Sequence, residues 1–245
     1  EARRWLSRAW ALAPTSMYNA NAELVVLDIE GDSEAIWRRY AELRQTPGLV
    51  PHLVDREYLQ NYFVDTLRAP DRMRLVAERL VDPRASDEGA LNRVIGKAQR
   101  ATLLQRLGQR DEARALAEQA KAELATLTMT PRAGQDAAIL AVQLELLLGN
   151  DAAARTALAE LMKSPPTDFL WPVEGGRVEV YADARAGLPE AAFALVERAM
   201  DRFSPAQFSM ALNGVEFDGL REHPRYKALH ARYQAWRSAQ GAEKP

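Results

Sequence analysis

Leu107-Gly108-Gln109-Arg110-Asp111-Glu112-Ala113 closes one helix and opens the next within seven residues. Its glycine suits a left-handed C-terminal cap, a conformation that other residues reach only at a cost. The acids that follow favour the positive N-terminal end of a new helix. The same pattern returns at Leu148-Gly149-Asn150-Asp151, at Gly187-Leu188-Pro189-Glu190 and, earlier, at Glu30-Gly31-Asp32-Ser33-Glu34. Asn, Asp or Ser supplies an N-cap in these turns, and Pro189 fits a first helical turn. Each turn therefore joins two antiparallel helices.

Between the turns, apolar residues recur at helical spacing, as in Trp5–Ala9–Leu12, Leu75–Ala77–Leu80 and Leu116–Ala120–Leu124. Only at Val178–Val180–Tyr181 could a strand compete, and the flanking alanines favour a helix there. With 245 residues, 47% of them hydrophobic, the chain can bury a substantial core and is not a disordered tract. A formal net charge of −2 supplies no basic field for nucleic acid or anionic lipid. The absence of cysteine excludes disulfides, thiolate metal sites and cysteine nucleophiles. No stretch reaches the roughly 18–20 apolar residues that span a bilayer; the densest run, Ala137 to Leu148, is interrupted by Gln143 and Glu145. The opening Glu1-Ala2-Arg3-Arg4-Trp5-Leu6 is no signal peptide and reads as the middle of an amphipathic helix, as expected of a piece of a longer protein.

The turns at Gly31, Gly108, Gly149 and Gly187, with Ala69-Pro70-Asp71 filling the gap, recur about every forty residues. In this the chain resembles the tetratricopeptide-repeat family, whose ideal repeat is shorter at about 34 residues. That family's second helix carries a small residue after the turn, then a bulkier one, then a small one, with a proline near its close. The matching positions here are Ala154, Leu158, Leu161 and Pro166 after Gly149, and Ala192, Val196, Ala199 and Pro205 after Gly187. Ala113, Ala117 and Ala120 follow Gly108 without the proline, and Ala2, Leu6, Ala9 and Pro14 fit at the start. The family's first-helix tryptophan and glycine are missing from most units, and the Ala69 hairpin matches poorly. The resemblance implies an all-α fold: an α-α superhelix, or TPR-like solenoid, with a C-terminal capping helix. Residues 1–14 would be a partial repeat, 15–204 about five helical hairpins and 205–245 the cap.

The stretch Phe217-Asp218-Gly219-Leu220-Arg221-Glu222-His223-Pro224-Arg225-Tyr226-Lys227-Ala228-Leu229 resembles the closing signature of many bacterial tetratricopeptide domains. Its apolar side, Leu220, Tyr226, Leu229 and Tyr233, is expected to cover the last repeat. Such domains follow an output module, a winged-helix domain, kinase or cyclase, often with a membrane helix between. The resemblance therefore implies a sensory or protein-interaction region of a larger regulator, on the periplasmic side of the inner membrane; without it, a cytoplasmic location is equally open.

Residues for chemistry are sparse. His52, His223 and His230 are scattered, no His-Glu-x-x-His or Gly-x-Ser-x-Gly occurs, and Gly175-Gly176 opens no phosphate loop. Neither a cofactor nor a metal is expected, and His223 and His230 read as surface or cap packing. Trp5, Trp10 and Trp37 read as core or inter-repeat packing. Phe169 and Trp171, in the loop Ser164–Gly176, are either a binding hot spot or tucked into a repeat interface. In tetratricopeptide arrays the first helices line the concave face. Counting back from the turns, the resemblance puts Val25, Asp28, Phe63, Thr66, Thr102, Gln105, Arg106, Gln143, Arg177, Tyr181 and Arg185 in the groove. This set lacks the lysine-asparagine carboxylate clamp of co-chaperones and suits an extended or helical peptide. The expected partner is thus a protein or peptide, with neither nucleic-acid binding nor membrane insertion by this region. A free-standing scaffold is the alternative, and a helical-solenoid enzyme a third; the last needs two facing carboxylates that no motif singles out.

Overall fold

The structure, a computed structural model, describes residues 2–30, 33–55, 58, 63–80, 89–128, 131–163, 189–200, 212 and 214–242. Among these residues every regular element is helical. The N-terminal part comprises α1 (Ala2–Leu12), α2 (Met17–Glu30), α3 (Ser33–Gln45), the short α4 (Pro51–Asp55) and α5 (Val64–Thr66), and α6 (Pro70–Arg79). Two long hairpins follow: α7 (Ala90–Arg106) with α8 (Arg110–Leu124), and α9 (Pro131–Leu147) with α10 (Asp151–Lys163). Last come α11 (Pro189–Met200), a 3₁₀ turn at Val215–Leu220 and α12 (Pro224–Ala242).

The expected turns at Gly108 and Gly149 have one geometry. Gly108 has φ +82° and Gly149 φ +78°. After α7, Gln109 N–H donates to Leu104 O at 2.9 Å and Gly108 N–H to Gln105 O at 3.1 Å. After α9, Asn150 N–H donates to Glu145 O at 2.9 Å and Gly149 N–H to Leu146 O at 3.1 Å. Both are Schellman closures, which satisfy the last carbonyls of the helix and reverse the chain. Asn150 also turns back, its amide donating to Glu145 Oε2 at 2.8 Å. Gly31 and Gly187 lie outside the described residues. A further left-handed glycine, Gly48 at φ +86°, lies in the turn after α3, where Leu49 N–H donates to Thr46 O at 3.1 Å; its Pro47-Gly48 dipeptide was the sequence signal for it.

The hairpins bury small residues. Ala113, Ala117 and Ala120 of α8 are buried, as are Ala98 and Ala101 of α7; all but Ala113 share one cluster with Leu140 and Leu144 of α9. The first helix α9 packs on both α7 and α8, then on its own partner α10. There Ala154 and Leu158 close on Ile139, Val142 and Leu146, with Leu161 against them. Short side chains let helix axes approach, and each filled leucine position contributes about 2 kcal/mol of apolar burial.

The N-terminal part is held by aromatic rings. Tyr40 lies between Trp37, Tyr58 and Phe63, with ring centroids 5.5–5.8 Å away. Its hydroxyl donates to Asp55 Oδ1 at 2.7 Å and accepts from Arg79 Nη1 at 2.7 Å. Arg44 grips the same Asp55 with two bonds, of 2.6 and 3.0 Å. Arg72 and Arg79 cover the rings of Trp37 and Tyr40 at 5.0 and 5.7 Å.

The three tryptophans expected in the packing divide. Trp37 and Trp10 lie against the N-terminal core, and Trp10 Nε1–H donates to Glu23 at 3.0 Å. Trp5 is 59% exposed, and Leu12, on the same stripe, is 87% exposed. The reason is that α1 packs chiefly on α2, through its other face, and buries no residue fully.

At the C-terminal end, Tyr226, Leu229 and Tyr233 of α12 pack with Ala192, Phe193 and Val196 of α11 and with Phe217, and Leu220 lies against them. His223 stacks on Phe193 at 4.7 Å and His230 on Tyr226 at 6.0 Å. The two imidazoles thus pack on separate rings, one on α11 and one on α12. Val178–Tyr181 and the loop Ser164–Gly176, with Phe169 and Trp171, fall outside the described residues.

Candidate functional site

The groove-facing positions expected from the turn register have three fates. Asp28 and Phe63 are buried, 3% and 1% exposed, and so line no open surface. For Phe63 the cause is local: counting back from Ala69 presumes a full first helix, whereas α5 spans Val64–Thr66 only and Phe63 belongs to the aromatic cluster. For Asp28 it is crowding, since α2 is covered by α1, α3 and α4. Val25 and Thr66 are half-buried. Arg177, Tyr181 and Arg185 lie outside the described residues.

A second group joins neighbouring helices. Arg106, at the end of α7, donates through Nη1 to Val64 O at 2.6 Å and through Nη2 to Leu67 O. Those carbonyls end α5, where intrahelical donors run out. A guanidinium fork therefore caps one helix from the next. Gln105 reaches Leu147 O, at the end of α9, at 3.5 Å. Thr102 is half-buried and its hydroxyl donates back to Ala98 O at 3.0 Å.

Among the described positions of this set, Gln143 is the exposed one. Within 137–147 of α9 it is the one exposed residue. Glu145, the other polar interruption of that apolar run, is drawn into an ion pair with Lys121 Nζ at 2.7 Å. Burial by itself would raise the Glu145 pKa, but the bonds from Lys121 and Asn150 outweigh it and hold the carboxyl below its ordinary range.

Ion pairs cover the rest of these hairpins. Lys97 meets Glu123, and Arg100 meets Glu112 at 3.2 Å. Among the described residues no group of three or more His, Asp or Glu side chains is placed to hold a metal, and no helix is long and apolar enough to cross a membrane.

Comparison with known proteins assigns no family. No protein-family model matches the chain, and no curated protein or solved structure matches it. The reading of function therefore rests on the helices themselves.

Proposed function

We propose that this chain is a tetratricopeptide-like repeat domain that binds a protein or peptide on the face carrying Thr102 and Gln143, without catalysis of its own. The carrying observation is the succession of α7–α8 and α9–α10: two hairpins closed by the same Schellman turn, the first seamed by alanines, with α9 stacked on both helices before it. Stacked hairpins present a continuous surface built from corresponding helices, and binding to such a surface needs no catalytic group. On the resemblance of the closing segment, the domain serves as the sensory or interaction region of a larger bacterial regulator. The scaffold reading keeps the same surface and differs in having a stable resident partner.

The test is a peptide selected by phage display against the whole chain, with affinity measured by titration calorimetry. Gln143→Arg should weaken it at least about tenfold, as at a hot-spot position. Thr156→Arg, on the exposed side of the second helix α10, should leave it unchanged. Equal effects of the two, or none from Gln143→Arg, would remove this face from the reading. Arg106→Ala is not a suitable probe, because it also uncaps α5.

A further inference from the structure

Repeat stacks bring sequence neighbours together, and the principal helix packing here follows that rule up to α10. One contact does not. Arg68, between α5 and α6, donates through Nη2 and Nε to Asp218 Oδ1 at 2.8 and 3.2 Å, across 150 residues. Its Nη1 is anchored on Thr66 O at 2.9 Å, which aims the rest of the fork outward. On the other side, Arg221 Nε donates to the same Asp218 oxygen at 2.7 Å, and Arg221 Nη1 donates to Tyr226 OH at 2.8 Å. Tyr226 OH in turn donates to Leu212 O at 3.1 Å. Asp218 thus sits between a cation of its own cap and one of the N-terminal part.

Among the described residues no apolar cluster is shared across this junction: the cluster holding Leu67 and the cluster holding Phe217 are separate. Arg68 and Asp218 are 43% and 41% exposed. The Arg68–Asp218 contact itself is therefore electrostatic, water-accessible and open to screening by salt.

We propose that Arg68 and Asp218 form a reversible clasp, which draws the C-terminal cap onto the α5–α6 connection and sets how far the two stand apart. The device stands on its own contacts, whatever the array binds. Because the chain has no cysteine, a nitroxide pair at Arg74→Cys and Ala228→Cys reports the span without other labelling. Both positions are exposed and outside the clasp. Pulsed electron resonance on the full chain at low salt should give one narrow distance. High salt, Arg68→Gln or Asp218→Asn should each add a longer population, raising the open-to-closed ratio about two- to fivefold, the range for an exposed ion pair. Superimposable distributions across all four conditions would overturn the clasp. So would a change in Asp218→Asn that Arg68→Gln fails to reproduce, since the carboxylate would then act only within the cap, on Arg221.

Discussion

Gly108 and Gly48 share a left-handed backbone but differ in what surrounds them. A Cβ on Gly108 meets nothing within 4 Å, so Gly108→Ala carries backbone strain alone, about 1 kcal/mol by urea unfolding. A Cβ on Gly48 would stand 2.7 Å from Thr15 Cγ2. Gly48→Ala should therefore cost more than Gly108→Ala, and Thr15→Ser, which deletes that methyl, should recover the excess. Additive effects of the two substitutions would refute the steric account. Arg106 makes the same kind of distinction among charges. Arg106→Lys keeps the charge yet cannot span two carbonyls with a planar fork, so it should recover little of the roughly 1–3 kcal/mol lost in Arg106→Ala. Full recovery by lysine would show that charge, and not the fork, matters there.

Helix pairing depends on what the alanines leave empty. Ala117 and Ala120 are fully buried in the α7–α8–α9 cluster, so leucine at either must displace a neighbouring helix. Ala117→Leu should destabilise by about 1–3 kcal/mol, the usual cost of overpacking. Ala115→Leu, on the exposed side of α8, should be near neutral in the same melt. In the N-terminal elements the tyrosines govern the alkaline limit. Burial, then Asp55, pushes the Tyr40 hydroxyl well above its ordinary range, with Arg79 pulling the other way. Burial does the same at Tyr58, whose hydroxyl donates to Ala20 O at 3.1 Å. A raised pKa in the folded state gives stability that is complete below the unfolded value, about 10, and lost as pH rises beyond it. The denaturation midpoint should fall above that pH, and Tyr58→Phe should flatten the fall; an unchanged slope would separate the burial from the titration.

At the scale of the whole molecule, carboxylates that bridge elements contribute to the acid limit. Asp218 is partly buried, which alone would raise its pKa, but Arg68 and Arg221 more than compensate and hold it low. Glu145 follows the same balance with Lys121 and Asn150. A depressed carboxyl contributes stability above its unfolded value, near pH 4, and loses it as pH falls through the folded one. Asp218→Asn should therefore blunt the acid side of the stability profile, most clearly at low salt; an identical profile would remove the two arginines from that account. Trp5 and Leu12 of one apolar stripe on α1 remain exposed.

Local chemistry alone determined the helices, the Gly108 and Gly149 turns and the alanine seams. Each depends on residues within one turn or one helical repeat of each other: a glycine free to adopt positive φ, acids at an N-terminus, small residues on one stripe. The closing segment was legible for a similar reason, since Tyr226, Leu229 and Tyr233 mark one face of one helix. The groove was less so. Its positions were counted along the chain; at α5 the presumed first helix is short and Phe63 went to the core, and at α2 three neighbouring helices cover Asp28. Which charged residue meets which partner was also beyond local pattern. Arg106 on the carbonyls of α5, Asp55 between Arg44 and Tyr40, and Arg68 on Asp218 join residues distant in sequence, and a long cation on a helix surface can reach several acceptors. Only the stacking of the helices selects one of them, because it alone decides which desolvated oxygens each guanidinium can reach.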